Sequence, residues 1–250
     1  MGFKCDRKGF IIKSGLFLGS VVLMPQSVFS NFFLSDYERV LLGINEPEDL
    51  IKSNYVLRKE AGESFEQMCL KAKEVGIEIY SQSSYRSYNR QLAIWERKYE
   101  KYKSQGYSGK NILKKIIEYS TIPGTSRHHW GTDLDVIDKS QSMPSDPLLE
   151  KHYINGGVYA KMYDWLLENA NSFGFYQVYT KSSQRKGFEF EPWHWSYKSL
   201  AIPMLKDYLD IDLKKFFNEM TISGKDNLSN DFIREYKESY ILGIDSELFP

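Results

Sequence analysis

Apolar positions along this chain switch repeatedly between a helical period and a strand period, and the switches mark its elements. Residues 35–42 read as a short helix closed by Gly43. Ser64-Phe65-Glu66-Gln67 has the form of a capping box, predicting a helix that runs to about Val75 and stops at Gly76. Residues 77–80 alternate as a strand does, and Ser87 is placed to cap a helix over 88–103 that carries Leu92, Ile94 and Trp95. A short helix over 112–119 follows, and Pro123-Gly124 then turns the chain. Residues 132–137 alternate polar and apolar, as a half-buried strand would. An amphipathic helix is predicted over 158–170, a strand over 173–179, a polar turn over 181–187 and a strand over 188–197. From Leu200 the pattern is mostly helical. This order predicts an α+β fold, with helices beside a small, largely antiparallel sheet. It divides into a helical lead-in (31–76), a core (77–199) and a helical extension of the same domain (200–250).

One echo crosses the chain. Glu38…Leu42-Gly43-Ile44-Asn45 is repeated in spacing by Glu238…Leu242-Gly243-Ile244-Asp245. Two helices, each ended by a glycine in the left-handed conformation, are the expected cause.

Residues 1–30 do not share the patterning of the rest. Lys4, Arg7, Lys8 and Lys13 precede the apolar run 14–24, and Pro25, Ser27 and Ser30 follow it. That order predicts a cleavable secretory signal, an uncleaved anchor being the alternative. The run is too short to span a bilayer comfortably. Asp6-Arg7-Lys8-Gly9-Phe10-Ile11 is similar to a twin-arginine signal with lysine in place of the second arginine. The expected location is therefore the periplasm or cell envelope, with no stable membrane span after cleavage.

Charge adds little. Lys+Arg and Asp+Glu are both 33, so no bulk basic field points to nucleic acid. Loss of 1–30 removes four basic residues and one acidic one, leaving 29 against 32 and a mature chain near −3. Cys5 would leave with the signal, and Cys69 alone would have no internal disulfide partner. Cys69 reads as a small buried apolar residue.

The chemistry is concentrated in two segments. Of four histidines, three lie in Ser126-Arg127-His128-His129-Trp130-Gly131-Thr132-Asp133-Leu134-Asp135 and Glu191-Pro192-Trp193-His194. Two histidines and a carboxylate can hold a zinc ion and leave a position for water, and a second carboxylate can take that water's proton. The separations are informative. His128 and Asp135 are seven apart, so on one regular strand they would face opposite ways. They converge only if His128 lies in a loop before the strand, with a bend at Trp130-Gly131. Asp133 shares the strand face of Asp135, which makes it a competing ligand by spacing alone. Glu191 is three before His194 and reaches its side only if Pro192 breaks the pleat.

Ser126-x-His128-x-x-Gly131-x-x-x-Asp135, followed by Glu191-x-Trp193-His194, resembles the signature of the zinc D,D-carboxypeptidases of the VanY type. That family also contains L,D-carboxypeptidases and D-Ala-D-Ala dipeptidases. Ser83-Ser84-Tyr85-Arg86-Ser87-x-x-x-Gln91 resembles its Ser-Gly-Tyr-Arg-Ser…Gln element. The likeness runs from about Ile77 to Tyr197 and departs in two places: Asp133 where a small residue is common, and Ser84 for glycine. It implies a Hedgehog/DD-peptidase-like zinc peptidase fold, with Zn2+ held by His128, Asp135 and His194 and Glu191 as catalytic base. It implies that Arg86 acts in the substrate site on the peptide carboxylate or developing oxyanion, supported by Gln91 and Ser83. Ser126 would either bond to a ligand or shape the turn. His129 and His152 are not expected to be ligands, and Tyr85, Trp130 and Tyr197 are candidates to line the cleft. The implied activity is removal of the terminal D-alanine from peptidoglycan stem peptides by an exported monomer. An L,D-carboxypeptidase, dipeptidase, endopeptidase or non-catalytic wall-binding domain would use the same scaffold.

Overall fold

The strand Asp133–Asp138 is buried at every one of its six positions, which sets the architecture around it. In the computed structural model, which describes residues 34–250, this strand lies inside a four-stranded antiparallel sheet. Numbered along the chain, the sheet consists of β3 (Ile79–Ser83), β4 (Asp133–Asp138), β5 (Phe175–Gln177) and β6 (His194–Tyr197), in the order β3-β4-β6-β5. The α+β reading with a small antiparallel sheet flanked by helices holds. The expected half-buried alternation of β4 does not, because both of its faces are covered. Leu134 and Val136 enter the main core with Phe65 and Met68 of α2 (Lys59–Lys73) and Met162 and Leu166 of α5 (Ala160–Asn169). Full burial of each such side chain stabilises the fold by roughly 1.5–3 kcal/mol. Asp133 and Asp135 occupy the other face and need partners there.

The lead-in is not wholly helical. After α1 (Asp36–Leu41), which Ser35 and Glu38 close with a reciprocal capping box, comes a hairpin of β1 (Leu50–Lys52) and β2 (Val56–Arg58). α2 then begins at Lys59, so Ser64 is not a cap: it lies inside the helix and donates to the carbonyl of Phe173 at 2.6 Å. Ser87 does cap α3 (Tyr88–Ser104), accepting from Arg90 N, and α4 (Lys110–Ile117) follows. The strand expected over 188–197 is regular only in its last four residues.

The C-terminal extension forms α6 (Lys198–Leu209), α7 (Leu213–Glu219) and α8 (Asn230–Tyr236), and it braces the segment that leads to β4. Tyr208 donates to the carbonyl of Gly124 at 2.8 Å, Tyr236 contacts Thr125 at 2.9 Å, and Tyr208 packs against Trp130. The echo between the two ends fails at its glycines. Gly43 has φ 72°, whereas Gly243 is not left-handed and follows a π-helical turn, Lys237–Ile241. A Cβ on Gly243 would lie 2.0 Å from the Ser239 carbonyl, so close approach explains that glycine. No helix among the described residues is long and apolar enough to cross a membrane. The predicted signal, 1–30, lies outside the described residues.

Candidate metal centre and substrate cavity

A 3-10 turn, Arg127–Trp130, delivers His128 to the sheet. The Ser126 carbonyl accepts from His129 N at 3.0 Å to close the turn. Gly131, at φ 69° in the left-handed region, then swings the chain into β4. This supplies the bend that the odd His128–Asp135 separation demands.

Register brings in the second segment. Asp135 pairs with His194 across β4 and β6. Before β6 the chain turns, with His194 N donating to the Glu191 carbonyl at 3.2 Å, and this break at Pro192-Trp193 returns Glu191 to the His194 side. Its carboxylate Oε2 lies 3.1 Å from His194 Nδ1.

His128 Nε2 stands 3.5 Å from Asp135 Oδ2, and His194 Nδ1 stands 3.8 Å from Asp135 Oδ1. One donor atom from each of the three residues falls within 4.8 Å of the others, and all three side chains are buried. Two ligands about 2.0–2.1 Å from a tetrahedral ion would stand roughly 3.3 Å apart, so the spacing fits a single small cation. His128 Nδ1 donates to the carbonyl of Ser84 at 2.9 Å, which frees Nε2 as the lone-pair nitrogen facing Asp135. Burial holds His128 below the usual imidazole pKa. Burial would raise the Asp135 carboxyl, but the facing His128 and His194 outweigh it and keep it low. On His194 burial opposes charge, yet hydrogen bonds with Asp133 and Glu191 prevail and hold its pKa up at about 10.

Asp133 joins this group from behind. Its Oδ2 lies 3.0 Å from His194 Nε2 and accepts from Arg127 Nε at 2.8 Å. It stands outside the three-donor cluster, so the competing-ligand reading by spacing is not what the geometry favours.

Arg86 ends the loop before α3. Its Nη1 donates to Gln91 Oε1 at 2.8 Å and its Nη2 to Ser83 Oγ at 3.0 Å. Gln91 is fixed in turn by Ser120 and the Thr121 carbonyl, so the guanidinium is held at a set position. Arg86 opens onto a cavity of about 740 Å³ that it shares with His128, Asp135, Glu191 and His194.

The aromatic lining differs from expectation. Tyr179, Phe188, Phe190 and Trp193 line the cavity, and the ring of Tyr179 stands edge-on to His194 at 5.1 Å. Trp130 instead donates to the Leu41 carbonyl, Tyr197 to Glu60, and Tyr85 is tied through its backbone to Val56. Lys98 of α3 also reaches the cavity, donating to the Tyr119 carbonyl at 3.2 Å. Its position on the exposed side of a helical pattern carried no such signal. His129 is buried and apart from the cluster, as expected, and burial lowers its pKa to about 3. His152 is also apart from it.

A family model described as "D-alanyl-D-alanine carboxypeptidase", VanY, matches residues 54–200. A putative carboxypeptidase, YodJ, of Bacillus subtilis is 27% identical over 176 residues, covering 69% of this chain and 57% of that protein. A D-alanyl-D-alanine carboxypeptidase of Enterococcus faecalis is 26% identical over 149 residues, 59% of this chain and 50% of that one. The chain thus spans little more than half the length of these relatives. Among solved structures, the LdcB LD-carboxypeptidase superposes with a TM-score of 0.51 at 26% identity, covering 76% of this chain and 90% of that one.

Proposed function

Because the chain belongs to the VanY family of D-alanyl-D-alanine carboxypeptidases, we propose that it is a zinc peptidase removing the C-terminal D-alanine of cell-wall stem peptides. The observation that carries this reading is the position of Glu191, which faces the His128–Asp135–His194 cluster from within the cavity that also holds Arg86. A wall-binding domain without activity would need no such carboxylate.

His128, Asp135 and His194 would hold the metal. Zinc bound there would lower the pKa of a water toward about 7 and polarise the scissile carbonyl. Glu191 accepts the proton of the attacking water on its carboxylate and returns it to the departing amine nitrogen. Arg86 presents a planar, permanently charged fork to the free terminal carboxylate and so sets which bond lies at the metal. Ser83 and Gln91 keep that fork from swinging, which limits the entropy lost on binding. Tyr179 and Trp193 give the peptide an apolar wall.

The likeness to LdcB favours a second reading, cleavage at an L,D bond by the same machinery. The proposal includes action outside the cytoplasm, on the basis of the basic-then-apolar leader. Incubation of the zinc-loaded protein with defined penta- and tetrapeptide stems, followed by mass spectrometry, tests these readings. Loss of one alanine from the pentapeptide is expected. Loss of alanine from the tetrapeptide alone would mark L,D specificity, and release of a dipeptide would mark a dipeptidase. Intact peptides throughout would end the peptidase reading.

A further inference from the structure

Asp133 and Arg127 are both absent from the residues that the proposed chemistry uses, yet they are among the most deeply buried charges of the chain. Asp133 is fully enclosed and Arg127 is 5% exposed. Their contacts form one closed set. Asp133 Oδ2 accepts from Arg127 Nε at 2.8 Å, and Asp133 Oδ1 accepts from Thr132 Oγ1 and Ser196 Oγ, each at 2.7 Å. Arg127 Nη2 donates to the same Ser196 hydroxyl at 2.7 Å. The one bond leaving this set toward the metal centre joins Asp133 Oδ2 to His194 Nε2 at 3.0 Å.

We propose that Asp133, held in place by Arg127, is a positioning residue that fixes the tautomer and ring orientation of His194, so that Nδ1 is the nitrogen offered to the metal. The inference rests on the metal-centre reading above. A neutral imidazole carries one N–H, and the atom that bears it is set by the partner of the other nitrogen. Both ring nitrogens meet carboxylates, but only Nδ1 faces Asp135 and Glu191 on the cavity side, where the three donors cluster. With Nδ1 committed to the ion, the single ring proton resides on Nε2, where Asp133 Oδ2 is placed to accept it. His128 is arranged in the opposite sense, with Nδ1 on the Ser84 carbonyl and Nε2 toward Asp135. Each ring is thus held by a bond at its outer nitrogen, one to a carbonyl and one to a carboxylate.

Arg127 explains how a carboxylate is tolerated there. An unpaired buried charge would be strongly destabilising, and the guanidinium neutralises it through the same oxygen, Oδ2, that meets His194. Arg127 itself is not ideally satisfied: its Nη1 is buried without a hydrogen-bond partner among the described residues. Its ring neighbour, Trp130, offers only a cation–π contact at 4.8 Å. A pair serving packing alone gains nothing from such an orphan, since apolar residues of similar volume would fill the site at least as well. Spacing also fits the pairing. Arg127 and Asp133 flank Gly131, and the bend that aims His128 at Asp135 brings the two charges together.

Two variants of the full chain test this, Asp133→Asn and the double variant Arg127→Met with Asp133→Ala, which removes the pair together. Zinc affinity is read by competition with a chromophoric chelator, and the His194 ring by 15N NMR of the zinc-loaded protein. Both variants are expected to bind zinc about 10–100-fold more weakly. The wild type should show an Nε2 proton on His194 whose hydrogen-bonded shift disappears in the double variant and moves upfield in Asp133→Asn, where only a neutral amide oxygen can accept. Wild-type affinity in the folded double variant would reduce the network to packing and overturn the proposal. Loss of zinc in Asp133→Asn as complete as in His194→Ala would make Asp133 a ligand and overturn it as well. These readouts need no substrate, so they stand if the peptidase reading fails while zinc still binds. A wild-type chain that takes up no zinc would sink the metal-centre reading and this inference together.

Discussion

Arg86 donates its backbone N–H to the carbonyl of His128 at 3.0 Å, so the residue proposed to read the substrate carboxylate and a member of the three-donor cluster are held by one hydrogen bond. The guanidinium above that bond is fixed by Ser83 and Gln91 and cannot follow a displaced substrate. Arg86→Ala should therefore leave zinc content unchanged while lowering kcat/KM on peptides with a free C-terminus by about 10²–10³-fold, the scale of a lost charge-assisted pair and its positioning. Amidated peptides, already deprived of the carboxylate, should lose far less. Equal losses on both peptides, measured in parallel assays, would remove Arg86 from carboxylate recognition.

Glu191 is near the donor cluster but outside it, which separates chemistry from metal binding. Glu191→Gln keeps the shape of the side chain and abolishes its basicity. Turnover should fall by about 10²–10⁴-fold with zinc content close to stoichiometric. Near-normal turnover in a rapid-quench or steady-state assay would exclude Glu191 as the base.

The two odd separations were the most readable part of the site. The seven-residue separation of His128 and Asp135 demanded a bend, which the 3-10 turn and Gly131 provide. The three-residue separation of Glu191 and His194 demanded a broken pleat, which the turn through Pro192 provides. What the pattern did not disclose follows from its resolution. The β1–β2 hairpin has three residues per strand, too few for a period to register. Ser64 satisfies the spacing of a cap, but Lys59, Glu60 and Ala61 are good helix formers that carry the helix through Gly62, so α2 starts earlier and Ser64 bonds to Phe173 instead. Asp133 was legible as a charge out of place, whereas its pairing with Arg127 depends on a turn geometry that spacing alone does not contain.

Metal removal should loosen the fold as well as stop turnover. Without an ion, Asp133, Asp135 and the imidazoles of His128 and His194 remain buried against one another, with Glu191 half-buried beside them. A ligand present at a thousandfold excess over its Kd stabilises the folded state by about 4 kcal/mol. For a chain of this size that corresponds to a shift on the order of 10 °C in Tm. Calorimetry before and after treatment with a chelator should show such a fall, reversed by added zinc. An unchanged Tm together with measured zinc uptake would mean that the unfolded chain holds zinc equally well, and would contradict a site built by the fold.

Cys69 should be inert in the native protein. Burial pushes its thiol up to about 12, the charge of Glu66 adds to the rise, and its Sγ lies 3.6 Å from the Ile79 carbonyl. At pH 8 a thiol of that acidity is thiolate in roughly one molecule in ten thousand, and the thiolate is the reactive form. Alkylation followed by mass spectrometry should be slow at pH 8 and fast after denaturation. Rapid native labelling would contradict the assigned burial.

Gly43 offers a test of how the lead-in supports the site from a distance. It has φ 72°, and a Cβ built there would lie 2.4 Å from His129 Nδ1. That ring cannot yield freely, because Nδ1 bonds to the Arg86 carbonyl at 2.5 Å and Nε2 accepts from Gly124 N at 3.3 Å. Gly43→Ala should cost about 1–2 kcal/mol for the left-handed backbone and a further ~1–3 kcal/mol for overpacking. The displaced His129 would also push the Arg86 carbonyl, so kcat/KM should drop while zinc remains bound. Gly106→Ala is the control: φ is 89°, but nothing lies within 4 Å of its Cβ, so only the backbone cost applies. Urea denaturation should therefore show a larger loss at Gly43 than at Gly106, with activity lowered only in the former. Equal stabilities and equal activities for the two variants would show that His129 has room to move and does not couple α1 to the substrate loop.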